Sequence, residues 1–303
     1  MYYLGIDGGG TKTEFVLTDE QNNIVREWSG APTNPVDVGI ERTLTVIGEG
    51  IETLLDGIPY GDVSVFAGIA GGMTGGNGER IRAYLNTLGL ACADCGSDVQ
   101  NVVAAGLGTS DGICTVMGTG SATFLQKNRQ LFRFGGYGYL FDEGVSGYAL
   151  GRDAIRISLA SEETGGESTL LRDLLLDHFQ KPSVLSVLSD FYSGGKRYIA
   201  SLAPLVFAAH AKGDAAATRI LRDNTAYLAR DLKKACSALN SDRPVRTVLA
   251  GGLAARTDVL LPMLQDQLDD ASMFDIAALP VPAVMGAVAL AKERHDDQNR
   301  NAK

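Results

Sequence analysis

Leu4-Gly5-Ile6-Asp7-Gly8-Gly9-Gly10-Thr11-Lys12-Thr13 decides the reading of this chain, because its pattern returns later. Residues 2–7 read as a buried strand. Three glycines then force a tight turn, and residues 13–18 (Thr-Glu-Phe-Val-Leu-Thr) run back as a second strand. Glycine lets backbone N–H groups approach a ligand closely, and a turn of exposed N–H groups is a cradle for anions. Further along, Gly118-Thr119-Gly120-Ser121 stands between the apolar runs 113–117 and 122–126. In register, Gly8 matches Gly118, Gly10 matches Gly120, Thr11 matches Ser121 and Thr13 matches Thr123. One such turn is an ordinary hairpin. Two in register, the first preceded directly by Asp7, point to a duplicated domain whose two phosphate-binding loops face one cleft. Neither loop ends in Gly-Lys-Ser/Thr, so neither is a P-loop. Neither reads G-x-G-x-x-G, so a dinucleotide fold is not favoured.

The 303 residues suit two domains, and 45% apolar content supplies their cores. A formal charge of −9 with no basic cluster argues against nucleic acid and anionic membrane partners. Met1-Tyr2-Tyr3-Leu4 leads straight into a strand, so no signal peptide is expected. No apolar run approaches the ~20 residues that span a bilayer. A soluble, cytoplasmic protein is the expectation. Of the four cysteines, Cys114 falls in a predicted strand and Cys236 in a predicted helix, where thiols pack as small hydrophobes. Cys92-x-x-Cys95 reads as redox-active or as half a metal site, but His178, His210 and His295 offer it no matching second half.

Apolar periodicity predicts strands at 2–7, 13–19, 23–29, 63–69 and 91–96, with helices at 38–56, 77–88 and 98–107. The second half opens with the same meander at 113–118, 121–126 and 131–134. It continues with helices at 145–161, 168–180, 182–192, 196–212 and 214–239, then strand 245–250, helix 257–269, strand 274–277 and helix 283–294. The charged tail 296–303 reads as frayed. A meander followed by α/β alternation implies a mixed sheet with helices against it, and the best break falls near 108–112.

Phosphoryl transfer to an alcohol needs a carboxylate at the attacking hydroxyl, a magnesium ion across the phosphates and donors for the developing charge. Asp98 is the candidate base. It lies where a predicted strand ends and a helix begins, a position that forms clefts in open α/β sheets and that is equally suited to an N-cap. Asp7 would help to hold hydrated Mg, and the N–H groups of residues 8–11 and 118–121 would hold phosphate oxygens. Gly135-Gly136-Tyr137-Gly138, followed by Asp142-Glu143-Gly144, sets glycine turns, an aromatic ring and carboxylates together, as a sugar would require. Asn34, between Pro32 and Pro35, offers a donor and an acceptor or simply ends a turn. Gly251-Gly252 after strand 245–250 would let an adenine lie flat, or is a plain βα turn.

Together these motifs resemble the N-acetylglucosamine kinase and glucosamine kinase family, in the BadF/BadG/BcrA/BcrD-type ATPase group of the actin-like sugar kinases. The resemblance rests on Asp7–Thr13, Thr33-Asn34, Gly68-Ile69-Ala70-Gly71-Gly72, Ser97-Asp98, Gly118–Ser121, Gly135–Gly138, Asp142-Glu143-Gly144, Gly251-Gly252 and Ala283–Ala291. It implies an α/β protein of two similar actin-like ATPase domains of ribonuclease H-like fold, each with a mixed sheet, and a cleft between them. Residues 1–110, completed by a helix at 283–295, would form one domain, and 111–282, with a helical insertion, the other. It implies ATP and Mg as cofactors and phosphoryl transfer to an amino sugar, most readily the 6-hydroxyl of N-acetylglucosamine. Asp98 would be the base and also touch the sugar, beside Asn34, Ser121, Gly136, Tyr137 and an acidic residue near 142. ATP would meet Gly8, Gly9, Gly10, Thr11 and Lys12 in the first loop and Gly118, Thr119 and Gly120 in the second. It would also meet Ala200, Gly251 and Gly252. A homodimer is expected by resemblance alone. Two departures fall on the sugar wall. Tyr137 stands where the family has Trp. Phe141-Asp142-Glu143-Gly144-Val145-Ser146 stands where it has Gly-Asp-Glu-Gly-Ser, so motif order points to Asp142 and an ungapped count to Glu143.

Two other functions fit part of the pattern. An ATPase activator of a radical dehydratase would need cysteines at a dimer interface for an iron–sulfur cluster, and Cys92 and Cys95 lie close together on a predicted interior strand. A sensor of sugar or nucleotide would need only the binding loops.

Overall fold

A computed structural model of the chain describes residues 1–141, 144–163 and 168–301. These divide into two compact units. One runs from Met1 to Thr109 and takes up the C-terminal segment from Leu279; the other is Ser110–Ala278.

The first unit opens with an antiparallel meander of β1 (Tyr2–Gly8), β2 (Thr13–Thr18) and β3 (Ile24–Gly30). Helices α1 (Pro35–Val38) and α2 (Ile40–Leu54) follow. Then come β4 (Val63–Ile69), α3 (Asn77–Asn86), β5 (Cys92–Gly96) and α4 (Asp98–Leu107). β4 lies parallel to β1 and β5 parallel to β4, giving the order β3-β2-β1-β4-β5. Every residue of β4 is buried, as expected of a central strand covered on both faces. One face packs Ile6, Phe15 and Val65 against Ile47 and Ile51 of α2 and Ile81 and Leu85 of α3.

The second unit repeats the plan. β6 (Gly112–Met117), β7 (Ser121–Lys127) and β8 (Gln130–Phe134) form the meander. Helices α5 (Gly147–Glu163), α6 (Leu170–Phe179), α7 (Leu188–Ala200), α8 (Ala203–Ala211) and α9 (Ala215–Leu239) precede β9 (Val245–Ala250), α10 (Thr257–Gln265) and β10 (Phe274–Ala278). β9 runs parallel to β6 and β10 parallel to β9. The order β10-β9-β6-β7-β8 is that of the first unit strand for strand. Each unit therefore has the ribonuclease H-like strand order of the actin-like ATPases. The chain then returns to the first unit as α11 (Ala283–Asn301), whose Val284, Ala287, Val288 and Ala291 cover the second sheet face through Tyr3, Val16 and Phe66.

Two boundaries differ from the sequence expectation. The break expected between helices near Gly194-Gly195 is present: Gly195 (φ 62°, ψ −159°) is not helical and divides α7 in two, while a second break, not expected, comes after Ala200. Pro204 sets this second break, because proline has no N–H and is best accommodated in a first helical turn, which here opens α8. The charged tail is helical to Asn301, where α11 simply continues. Among the described residues no helix is long and apolar enough to cross a membrane.

Candidate active site

Parallel register aligns Asp7 with Gly68 and Gly68 with Gly96 across the carboxyl ends of β1, β4 and β5. Asp98 follows two residues beyond Gly96 and opens α4. Its side chain does not have to act as the N-cap, because Ser97 occupies that position and its N–H donates to Gln100 Oε1 at 3.0 Å, part of a capping box. The half-buried Asp98 carboxylate accepts the N–H groups of Asp98 and Val99, which favour its charge; burial outweighs them and pushes its pKa up.

Asp7 is also half-buried, and burial raises its pKa to about 6. A hydrogen bond from Asn101 opposes that shift, while repulsion from Asp98 and Glu14 adds to it and Lys12 offsets part. Asn101 was not singled out in the sequence. It lies three residues after Asp98 and so on the same side of α4. Wholly buried, its Nδ2 donates to Asp7 Oδ1 at 2.7 Å and to the Ile6 and Gly68 carbonyls at 3.2 Å each. A Cβ on Gly68 would collide with this amide.

Around Asp7 the first glycine loop is closed on itself. Gly9 N–H donates to the Lys12 carbonyl at 3.0 Å, Thr33 N–H to Gly9 at 3.2 Å and Ala70 N–H to Gly8 at 2.7 Å. Thr11 and Lys12 are exposed at the tip, where Lys12 pairs with Glu14, and Gly10 stands beside them. Asn34 caps α1. Its Oδ1 accepts Val36 N–H at 3.1 Å and its Nδ2 donates to Asp37 Oδ2 at 2.9 Å. A Cβ on Gly71 would meet Asn34 Oδ1, so the loop after β4 lies beside it. Gly8, Gly9, Asp7, Asn34 and Asp98 are thus gathered at one end of one sheet.

The second unit gathers its own set. Gly118 N–H donates to the Gly120 carbonyl at 2.8 Å. The Gly118 and Thr119 carbonyls accept Gly147 N–H (2.8 Å) and Tyr148 N–H (3.1 Å) from the start of α5. Ala200 lies against Gly147, whose Cβ would stand 3.1 Å from its carbonyl. Gly251 follows β9 at φ 89°, so close to β6 that a Cβ would lie 2.6 Å from the Met117 carbonyl; Gly252 is exposed and open. Gly118, Thr119, Gly120, Ala200, Gly251 and Gly252 therefore share one end of this sheet. Ser121 opens β7 beside Gly136 and Gly144. A Cβ on Gly136 would strike Ala122, and one on Gly144 would strike Ser121 Oγ. These three line a small cavity with Thr115, Thr123 and the buried Asp231. Tyr137 is 65% exposed, with the Arg133 guanidinium 5.5 Å from its ring centroid. Asp142 and Glu143 lie outside the described residues.

The second loop fits an anion. A Cβ on Gly118 would find nothing nearer than 4.0 Å, and one on Gly120 nothing nearer than the Lys196 ammonium at 3.8 Å. For magnesium the donor set is spare. Among the described residues no group of three or more His, Cys, Asp or Glu could cage a metal. Asp7 alone fits the habit of Mg²⁺, which keeps its waters and takes one or two carboxylates plus phosphates. The Cys95 thiol is pushed to about 12 by burial, and Cys92 is raised for the same reason, which disfavours their thiolates.

Solved structures share this architecture. A Chromobacterium violaceum protein classed provisionally as an N-acetylglucosamine kinase superposes with a TM-score of 0.76 at 22% identity, covering 96% of this chain and 98% of its own. In sequence, the N-acetylmuramic acid/N-acetylglucosamine kinase of Clostridium acetobutylicum is 27% identical, across 97% of this chain and 99% of its own length. The N-acetyl-D-glucosamine kinase of Dictyostelium discoideum is also 27% identical, across 88% and 89%. The family model described as BadF/BadG/BcrA/BcrD ATPase matches residues 4–291, and the chain belongs to that ATPase family.

Proposed function

We propose that the protein is an ATP-dependent sugar kinase that transfers the γ-phosphoryl group to an amino sugar, with the 6-hydroxyl of N-acetylglucosamine as acceptor. The observation that carries this reading is Asp98, a half-buried carboxylate of raised pKa at the end of a parallel sheet, released from capping by Ser97 and adjacent in charge to Asp7. Burial makes such a group more basic, and so better able to receive a hydroxyl proton. The kinase names of full-length relatives support the substrate class.

In this reading Asp98 accepts the proton of the attacking hydroxyl and hydrogen-bonds the sugar. Asp7, oriented by Asn101, would hold a hydrated magnesium ion, which would supply charge screening for the phosphates. Backbone N–H groups of the Gly8–Lys12 and Gly118–Ser121 turns, other than those of Gly9 and Gly118 that close the turns, hold phosphate oxygens. Ala200 and Gly251-Gly252 lie against the rest of the nucleotide. Asn34, Ser121, Gly136 and the Tyr137 ring orient the sugar. Little covalent chemistry is asked of the protein, since loose phosphoryl transfer depends mainly on position and charge.

The test is ADP release with Mg across N-acetylglucosamine, glucosamine, N-acetylmannosamine, N-acetylmuramic acid and glucose. The expected outcome is release that requires sugar and is greatest with N-acetylglucosamine. Greatest turnover with another sugar would retain the kinase and overturn the substrate, with Tyr137 and its loop as the first residues to examine. Release indifferent to every sugar would overturn the kinase reading.

A further inference from the structure

Lys196 lies in α7, one residue after the kink at Gly195. Its exposed ammonium stands 3.8 Å from where a Cβ of Gly120 would be and 5.9 Å from the Tyr139 ring centroid. Among the described residues it forms no ion pair with a carboxylate, whereas Lys12 at the tip of the first loop is paired with Glu14.

Backbone contacts hold this cation at the loop. The start of α5 donates Gly147 and Tyr148 N–H groups to the Gly118 and Thr119 carbonyls. On the same helix Gly147 and Gly151 lie one turn apart and face the end of α7. A Cβ on Gly151 would strike the Ile199 carbonyl, and one on Gly147 would press on Ala200 at 3.1 Å. α7 therefore approaches α5 closely at these two glycines, and α5 docks on the loop through hydrogen bonds. The loop carbonyls are engaged by α5, and the cation lies over the loop's bare glycine.

We propose that Lys196 is a phosphate-holding residue, its ammonium binding oxygens of a polyphosphate seated on the Gly118–Ser121 turn. This rests on the kinase reading and adds to it a charge that the second glycine loop lacks. Backbone N–H groups carry only partial charges, and a lysine supplies a full point charge for phosphate without fixed geometry. The cation–π contact with Tyr139 keeps the ammonium near the loop without neutralising it.

Equilibrium binding of ATP and of adenosine is measured by calorimetry on the full chain and its Lys196→Met and Lys196→Arg variants. The expected result is about tenfold weaker ATP binding for Lys196→Met, the scale of one charged hydrogen bond. Adenosine binding should be unchanged, and Lys196→Arg should restore most of the ATP affinity. Added salt should weaken ATP binding less in Lys196→Met than in the parent. The exposed position predicts unaltered apo melting. Equal ATP affinity in parent and Lys196→Met overturns the role of Lys196 and leaves the kinase reading intact. A parent that fails to bind ATP overturns both. An equal loss for adenosine and ATP makes Lys196 a structural residue and also overturns the proposal.

Discussion

At Asp7, burial and the Asn101 amide act in opposite directions, and burial prevails, leaving a carboxyl that titrates near 6. The unfolded chain titrates this group near 3.9. Between those values the folded state binds the extra proton, so stability from this residue is present below about pH 4 and is lost as pH rises towards 6. Asp7→Asn keeps an oxygen for Asn101 and removes the charge. It should stabilise the protein at pH 7.5 by on the order of 1–3 kcal/mol and make no difference at pH 4, while phosphoryl transfer falls. Urea melts at the two pH values check this; a variant less stable at pH 7.5 would contradict it. Asp98 was legible from its place between a strand and a helix, but its freedom from capping was not, since that depends on Ser97 and Gln100 forming the box instead. Asn101 was hidden for a different reason. A polar residue among valines reads as an interruption of an apolar face, and only the register of β1 and β4 shows three oxygens facing its amide.

On the scale of elements, α11 fixes the helix that carries Asp98 and Asn101. Gly5 of β1 lets α11 approach so closely that a Cβ there would lie 2.5 Å from the Val284 carbonyl. Gly286 does the same towards α4, where a Cβ would collide with the Asn101 carbonyl and come within 2.7 Å of Ala105 N. These are backbone atoms, so no side chain can turn aside. Gly286→Ala should cost about 1–3 kcal/mol by overpacking and should lower kcat by displacing the start of α4. Denaturation midpoint and turnover, measured together, check this. Unchanged stability would mean that α11 is not seated on α4 in this way. The meanders were legible because apolar alternation and glycine turns mark both ends of each strand, and β9 was read at its observed limits. The α7–α8 boundary was not. The kink at Gly195 was legible because a glycine pair marks it, whereas Pro204, which sets the break after Ala200, stands inside an apolar helical pattern that masks it.

For the whole molecule, the repeated glycine hairpin foretold the repeated strand order, because the same β-meander and turn begin each unit. The polar residues of both units collect at the carboxyl ends of their parallel strands, where loops rather than core packing choose the side chains. That regularity made the positions of Asp7, Asp98 and the two loops at these strand ends readable in advance. Lys196 and Ala200 were not readable from spacing, because their place beside the second loop comes from the seam of Gly147 and Gly151, a contact between helices distant in sequence. The claim that joins these parts is that Asp98 receives the proton of the sugar hydroxyl. Its most direct test is single-turnover transfer from ATP to N-acetylglucosamine, with the phosphate position read by NMR, in the parent and in Asp98→Asn. The account predicts a 6-phosphate from the parent and transfer slowed roughly 10²–10⁴-fold in a folded, sugar-binding Asp98→Asn; transfer at the parent's rate in that variant would contradict it.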